Sequence, residues 1–192
     1  MKHHENVKIV AFVGLTGSGK TAAVDHLTSK GYPKVYFGGI FYEAMKEAGL
    51  TPGDWEVENP FRKEIREREG KDFVVKRANQ QIHNLIAAGQ HRIVVDGLYS
   101  WTEYKIMKHE FPGELIVVAV IAPKHVRHHR LATRPDRPLN TEEVNERDWH
   151  EIEDVEKGGP IAIADYYLMN DGDLETLYKQ VDDQLRQIEF YN

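Results

Sequence analysis

Hydrophobic residues along this chain follow two different periods, one typical of buried strands and the other of amphipathic helices. Residues 7–13, 92–95 and 115–121 are runs rich in apolar and β-branched residues, broken only by Lys8 and Arg92, which is the pattern of strands covered on both faces. Residues 72–89 instead keep apolar side chains on one helical face. A last helix shows the same spacing in Leu174, Leu177, Val181, Leu185 and Ile188. The pattern therefore predicts strands and helices in alternation.

Weaker signals complete the alternation. Short strands are predicted at residues 34–37 and 166–169, and residues 38–49 read as a helix that ends at a glycine. Five strands alternating with helices predict an α/β fold, in which helices flank a five-stranded parallel sheet on both sides to give three layers. The carboxyl ends of parallel strands meet at one edge, which is where ligands bind in such sheets.

Capping residues predict where several helices begin and end. Residues 100–103 read Ser-Trp-Thr-Glu, a capping box that opens a helix. Residues 140–143 have the same spacing of a cap and a glutamate, before a helix that should reach about residue 156. The Asn-Pro pair at residues 59–60 predicts another helix start, because proline suits the first helical position. Lys-Gly-Gly-Pro at residues 157–160 predicts a break in the chain.

One loop carries the most specific chemical signal. Residues 14–21 read GLTGSGKT, which matches the pattern G-x-x-x-x-G-K-[ST]. The match follows the first strand and precedes a helix-compatible stretch, as this motif requires. Glycines let the loop backbone turn its N–H groups toward anionic oxygens, and the helix N-terminus adds partial positive charge. The loop predicts binding of a nucleoside triphosphate together with Mg²⁺.

The positions of this loop have separate expected roles. Lys20 is expected to reach the β- and γ-phosphates, and the Thr21 hydroxyl to hold the magnesium ion. The predicted nucleotide-binding residues of the loop are Gly14, Thr16, Gly17, Ser18, Gly19, Lys20 and Thr21.

Asp96 ends the third predicted strand and precedes Gly97. An aspartate at the carboxyl edge of the sheet can hold the magnesium ion or act as general base toward an acceptor hydroxyl. A cap or turn role before the glycine is the alternative. We predict a catalytic and metal-binding role for Asp96.

A Pro- and Arg-rich stretch at residues 127–145 predicts a mobile lid. Planar guanidinium groups on such a segment neutralise the negative charge of a transferring phosphoryl group and exclude water. Arg130, Arg134 and Arg137 are the predicted members, with a weaker case for Arg127. A solvated basic surface is the alternative interpretation.

The stretch between the second and third strands, residues 38–90, is the predicted acceptor-binding segment. Arg66 and Arg77 are the preferred candidates for gripping an acceptor phosphate, and pairing with nearby glutamates on a helix surface explains such arginines equally well. This region also carries aromatic residues that either line a pocket for a ring system or pack in the core. They are Tyr36, Phe37, Phe41, Tyr42 and Trp55.

Composition narrows the remaining choices. The chain has 192 residues, of which 41% are hydrophobic, and this fits a single domain over residues 1–192. A net charge of −6 disfavours an extended nucleic-acid or membrane surface, because no broad basic field is available. The absence of cysteine excludes disulfides, thiolate metal sites and a cysteine nucleophile. Without a signal peptide or a long apolar run, the chain is predicted to be cytoplasmic.

Taken together, these motifs resemble a small P-loop kinase of the nucleoside monophosphate kinase superfamily. The chain is more closely similar to dephospho-CoA kinase and to an archaeal dephospho-CoA-kinase-like P-loop family. The similarity covers nearly the whole chain, through residues 14–21, 65–70, 75–77, 95–97, 127–131, 146–148 and 164–172. It implies a P-loop kinase fold that uses ATP and Mg²⁺, with the lid arginines lying over the phosphates. It also implies that Asn170 and Gly172 shape the adenine side of the site.

Two positions depart from the pattern of these families. Related kinases often have Gly-Asp after the second strand and an arginine three residues later, where this chain has Gly39 and Tyr42. The archaeal family tends to read Asp-Gly-Ile-Arg-Ser after the third strand, and here Leu98 and Tyr99 stand in place of the isoleucine and the arginine. The two tyrosines indicate a less anionic or ring-bearing acceptor, and both are predicted to bind it.

Two functions of different classes follow. The first is ATP-dependent transfer of the γ-phosphoryl group to a small nucleoside-, nucleotide- or CoA-like acceptor. The second is a nucleotide-binding regulatory or degenerate module with slow hydrolysis, motivated by the replaced aspartate and arginines. Net acidity disfavours a polynucleotide end-kinase. Residues 170–173 lack the lysine of the guanine-reading Asn-Lys-x-Asp motif, which disfavours a GTPase.

Overall fold

A five-stranded parallel sheet with helices on both faces organises the chain, in a computed structural model that describes residues 6–53, 55–135 and 138–191. The strands are β1 (Lys8–Val13), β2 (Lys34–Tyr36), β3 (Arg92–Asp96), β4 (Leu115–Ile121) and β5 (Tyr166–Met169). The helices are α1 (Lys20–Thr28), α2 (Phe37–Glu47), α3 (Trp55–Glu69), α4 (Phe73–Ala87), α5 (Trp101–Glu110), α6 (Lys124–Thr133), α7 (Thr141–Glu153), α8 (Gly158–Ala162) and α9 (Leu174–Gln187). The sheet order is β2-β3-β1-β4-β5. The predicted α/β fold is confirmed.

Strand β1 lies at the centre of the sheet, paired in parallel with β3 and β4. Its side chains alternate between the faces, so that Ile9 and Ala11 belong to one apolar cluster and Val10 and Phe12 to the other. Because helices cover both faces, every position of this strand after Lys8 is buried, and the Lys8 side chain at its start is 25% exposed. This explains the continuous hydrophobic run in the sequence.

The helices form one layer on each face of the sheet. On one face, Ile82 of α4 and Met107 of α5 are fully buried in the first cluster. On the other, Leu27 of α1 and Val181 of α9 are fully buried in the second. Within the described ranges, the helices are too short or too polar for any of them to span a lipid bilayer.

The segment between β2 and β3 has a third apolar cluster, built by α2, α3 and α4. Its buried members are Phe41, Ala44, Met45, Phe61, Ile65 and Phe73. Phe37 is buried in the first cluster beside the sheet. Core packing therefore accounts for Phe37 and Phe41, for which the sequence allowed either a pocket or a core position. It also gives residues 38–90, the segment predicted to bind an acceptor, a rigid base.

Three predictions about the helices are wrong. Helix α3 begins at Trp55, and Pro60 lies inside it. Glu56 in the first turn favours the earlier start through the helix dipole. The proline at position 60 removes only one main-chain hydrogen bond. Residues 157–160 were predicted to break the chain, but they contain the start of α8. Leu174 was predicted to lie on the apolar face of the last helix, but it is the first residue of α9 and is 55% exposed.

Both predicted capping boxes are present. Ser100 and Glu103 cap α5, each side chain accepting a main-chain N–H of the other residue, and Asn140 and Glu143 cap α7 in the same way. Local sequence is enough to specify these ends because the two partners lie three residues apart.

Asp182 of α9 ties this helix to α1 and to the end of the described chain. Its Oδ1 accepts hydrogen bonds from Lys30 and Tyr191 and lies 3.0 Å from Nε2 of His26. Burial alone raises the pKa of this carboxyl group, but the three hydrogen bonds outweigh burial and lower the pKa to about 2.

We expect Asp182→Asn to lower the free energy of unfolding at neutral pH by about 1–3 kcal/mol, because hydrogen bonds to a charged group are lost. A carboxyl group with a lowered pKa stabilises the fold fully above its unfolded pKa of about 3.9 and loses that effect as the pH falls through its folded pKa. The difference between parent and variant should therefore shrink from about pH 4 toward about pH 2. Urea unfolding across this range measures it.

Asp183→Asn is the control, since that exposed carboxylate on the same helix pairs only with surface cations among the contacts seen, Lys179 and Arg186. It should change the free energy of unfolding far less than Asp182→Asn does, because exposed ion pairs contribute little. Equal losses in the two variants would contradict the role of Asp182.

Candidate functional site

The glycine-rich loop, residues 14–19, connects β1 to α1 at the carboxyl edge of the sheet. Gly17 and Gly19 have φ angles of 83° and 97°, in the left-handed region that glycine adopts without strain. A Cβ atom at Gly19 would lie 2.1 Å from Nδ2 of Asn170. The glycine is therefore required by both the turn and the packing behind it.

Asn170, directly after β5, fastens this loop from the side. Its Nδ2 donates to the carbonyl oxygen of Ser18 at 2.8 Å. Arg130 donates to the main-chain carbonyls of Asn170 and Gly172, each at 3.0 Å. The structure thus brings Asn170, Gly172 and Arg130 together beside the loop. In this conformation the guanidinium of Arg130 holds the turn after β5.

Lys20 and Asp96 form an ion pair at the centre of the sheet edge. Lys20 is the first residue of α1, Asp96 is the last residue of β3, and their Nζ and Oδ1 atoms are 2.6 Å apart. Only 14% and 7% of the two side chains are exposed. Charges held this far from water need partners. A polyphosphate offers the matching charge for the ammonium, and a metal cation offers it for the carboxylate.

The oxygen donors beside this pair fit a magnesium ion. Thr21 follows Lys20 in the first turn of α1 and is exposed, and Asp96 supplies a carboxylate. Mg²⁺ prefers oxygen ligands and is usually held by one or two protein groups together with waters and substrate phosphates. Thr21 and Asp96 are the residues that would hold it.

Two tyrosines, Tyr36 and Tyr99, lie beside Asp96. Tyr36 of β2 is directly opposite Asp96 in the sheet register. Burial raises the pKa of Tyr36, and the charge of Asp96 and the proximity of Tyr42 raise it further. Burial likewise raises the pKa of Tyr99, with the charge of Asp96 adding to it. Two neutral phenol rings therefore lie beside the carboxylate, and one of them, Tyr99, was predicted to bind the acceptor. Tyr42, the other tyrosine predicted to bind it, lies near Tyr36.

The ring of Tyr99 also contacts two ammonium groups. Nζ of Lys20 lies 5.6 Å and Nζ of Lys157 lies 4.7 Å from its centroid. Lys157 comes just before α8 and reaches back to the loop. The sequence did not identify this second lysine, because only the folded chain brings residue 157 beside residue 99.

Glu151 of α7 is a second residue that the sequence did not identify. One carboxylate oxygen accepts the main-chain N–H of Thr16 at 3.0 Å, and the other accepts the Thr16 hydroxyl. Nζ of Lys157 lies 2.8 Å and Nε of Arg147 lies 3.5 Å from Oε1. Burial raises the pKa of Glu151, but Lys157 and the hydrogen bonds from Thr16 outweigh it and lower the pKa. An ionised carboxylate therefore binds one N–H group of the loop.

Arg127 joins α6, α7 and the loop. It forms a bidentate pair with Asp148, both N···O distances being 2.7 Å, and donates to the Thr16 carbonyl at 3.2 Å. Its side chain is only 7% exposed. The structure thus places Arg127, the weaker candidate for the predicted lid, where it links α7 to the loop.

The remaining predicted residues are distributed around this centre. Arg66 lies near Glu103, where its charge favours the ionised carboxylate whose pKa burial raises. Arg77 pairs with Glu47 and Glu69 on the surface of α2 and α3. Arg134 follows the end of α6. Arg137 lies outside the described residues.

Comparisons with known proteins identify the family of the chain. Residues 10–156 match the model of an AAA domain. A UPF0200 protein of Thermococcus onnurineus is 34% identical over 185 residues, covering 94% of this chain and 97% of the relative. A UPF0200 protein of Sulfurisphaera tokodaii is 32% identical over 189 residues, covering 95% and 98%.

Solved structures show the same fold at low sequence identity. A shikimate kinase from Aquifex aeolicus has a TM-score of 0.54 at 18% identity, covering 94% of this chain and 98% of that one. A sugar kinase from Janibacter has a TM-score of 0.60 at 13% identity, covering 96% and 95%. These likenesses establish a P-loop kinase-like fold. With relatives above 30% identity along nearly its whole length and a family match over residues 10–156, the chain belongs to the UPF0200 family and carries an AAA-type P-loop domain.

Proposed function

We propose that this protein is an ATP-dependent phosphotransferase, which moves the γ-phosphoryl group to a hydroxyl of a small acceptor. The observation that carries the proposal is the Lys20–Asp96 pair, 2.6 Å apart, at the base of a glycine-rich loop, with Tyr36 and Tyr99 beside the aspartate. The lysine would bind phosphate, and the aspartate would face an acceptor held by the aromatic residues. A nucleotide site and an acceptor site would thus meet at one carboxylate.

On the donor side, residues 14–21 would cradle the phosphates with main-chain N–H groups, and Lys20 would bind the β- and γ-phosphates. Thr21 and Asp96 would hold Mg²⁺, which when bound neutralises charge on the phosphate oxygens. The turn of Asn170 and Gly172, braced by Arg130, would receive the adenine.

On the acceptor side, Tyr36, Tyr42 and Tyr99 would hold a ring-bearing or weakly anionic molecule with its hydroxyl toward Asp96. The hydroxyl oxygen forms the new bond to the γ-phosphorus, and the bond from phosphorus to the β–γ bridging oxygen breaks to leave ADP. The hydroxyl proton passes to a carboxylate, and Asp96 is the candidate base. Neutral phenols fit an uncharged ring better than a phosphate.

Arginines on the lid would complete the site. Arg130, Arg134 and Arg137 would neutralise the transferring group when the lid closes, and Arg66 and Arg77 would contact the outer part of the acceptor. The pairing of Arg77 with two glutamates makes this role depend on exchange of those partners. Arg66 lies near Glu103, and Glu103 in turn lies near Tyr99.

We expect Lys20→Ala to weaken binding of Mg²⁺-ATP by at least about 10-fold, because a charge-assisted contact to phosphate contributes about 1.5–3 kcal/mol. Isothermal titration measures the affinity. Lys124→Ala removes an exposed lysine of α6 and is the control, with unchanged affinity expected. Equal ATP affinity for parent and Lys20→Ala would overturn the nucleotide site.

Transfer itself is tested with a panel of acceptors. Parent protein with Mg²⁺-ATP is incubated with nucleosides, nucleoside monophosphates, dephospho-CoA, shikimate and simple sugars, and both ADP and phosphorylated acceptor are measured. We expect ADP release to rise with at least one acceptor and to match its phosphorylated product. ADP release that no acceptor increases would favour the second candidate, a nucleotide-binding module with slow hydrolysis.

We expect Asp96→Asn to reduce turnover by about 100-fold or more, which is the usual contribution of a positioned base. Binding of ATP in the absence of Mg²⁺ should be retained, because the variant removes a negative charge beside the phosphates. Titration with and without EDTA separates the metal role from the base role. Turnover of Asp96→Asn equal to that of the parent would exclude both.

A further inference from the structure

Two buried ammonium groups, not one, reach the ring of Tyr99 at the loop. Lys20 is the lysine of the P-loop motif, and Lys157 approaches the same ring from α8 at 4.7 Å. Only 12% of the Lys157 side chain is exposed. Cations rarely remain this buried without an anionic partner, so the question is which anion balances Lys157 in this site.

Each of the two ammonium groups is held by its own carboxylate. Lys20 pairs with Asp96 at 2.6 Å, and Lys157 pairs with Glu151 at 2.8 Å. Glu151 in turn accepts hydrogen bonds from the N–H group and the hydroxyl of Thr16 in the loop. One carboxylate oxygen thus links the second lysine directly to a phosphate-binding element.

The carboxylate of Glu151 lies where an anionic ligand would be most stabilised. The Thr16 N–H donates to it, and the Lys157 ammonium and the Arg147 guanidinium form ion pairs with it. Nε of Arg147 itself donates to the Thr16 hydroxyl at 3.1 Å. A phosphate oxygen satisfies the same donors with more charge. A carboxylate left beside a bound triphosphate would instead repel it.

We propose that Lys157 is a second phosphate-binding residue, which takes the terminal phosphate of a bound nucleoside triphosphate, and that Glu151 holds this lysine and the Thr16 N–H until the phosphate replaces it. The inference rests on the proposed nucleotide binding. It adds that the site distinguishes triphosphate from diphosphate through Lys157, and that Glu151 opposes nucleotide entry.

A purely structural role for the pair leads to different behaviour. If Lys157 and Glu151 only fasten α7 and α8 to the loop, their removal would change stability and would affect ATP and ADP equally. If Lys157 binds the terminal phosphate, only the triphosphate loses a contact, because the diphosphate lacks that phosphate. The ratio of the two affinities is therefore the measurement that separates them.

The test compares the affinities for Mg²⁺-ATP and Mg²⁺-ADP by isothermal titration of the full-length protein. Lys157→Gln should weaken ATP binding by about 10–100-fold and ADP binding by less than about 3-fold, as expected for loss of one charge-assisted contact. Lys157→Arg should retain most of the preference for ATP. Glu151→Gln should strengthen ATP binding by about 10-fold, because it removes the competing charge.

Lys105→Gln is the matched control. Lys105 of α5 also lies over an aromatic ring, 5.8 Å from the centroid of Trp101, but it is exposed and contacts no part of the loop in the described structure. It should leave both affinities unchanged. The double variant Glu151→Gln with Lys157→Gln leaves no buried charge unpaired, and it serves as the folded form if the single lysine variant does not fold.

The outcomes distinguish this inference from the proposed function. A parent that binds neither nucleotide would contradict the proposed function. A parent that binds both, with the ATP-to-ADP ratio unchanged in Lys157→Gln or in the double variant, would overturn the role of Lys157 alone. An unchanged or weaker ATP affinity in Glu151→Gln would overturn the opposing role of that carboxylate.

Discussion

Balanced charge at the carboxyl edge of the sheet is the constraint on which this site depends. Lys20 and Lys157 are both largely withdrawn from water, and each is neutralised by a carboxylate, Asp96 or Glu151. Neither cation would be tolerated there alone, because desolvation of an unpaired charge costs several kcal/mol. The same arrangement places four charged groups of two signs around one ring, Tyr99, where a phosphate chain and a metal ion would exchange partners with them.

Helix α7 contributes one of these balancing carboxylates. Helix α7 reaches the loop through Glu151, and the Arg127–Asp148 pair fixes it to α6. The loop is held from the opposite side by Asn170. Its main-chain position therefore depends on two elements far apart in sequence. Helix α7 and the loop share Thr16 as their point of contact.

The segment proposed to hold the acceptor combines a rigid apolar base with phenol groups. Phe41 and Phe61 belong to the cluster built by α2, α3 and α4, while Tyr36 lies beside Asp96 and Tyr42 lies near Tyr36. The phenylalanines supply packing, and the tyrosines would border the proposed acceptor. The five aromatic residues that the sequence grouped together thus divide according to whether they carry a polar atom, with the side chain of Trp55 outside the described residues.

The sequence by itself determined the sheet, the capping boxes and the glycine loop, because each depends on contacts within a few residues or on burial of a continuous run. Residues 7–13 and 115–121 predict central strands, and Gly19 and Lys20 predict the phosphate-binding loop. Tertiary structure alone decided that Glu151 and Arg127 contact Thr16. Those contacts join positions more than 100 residues apart in sequence. No local pattern specifies such a pairing, since it exists only once the parallel strands have brought their carboxyl ends to one edge.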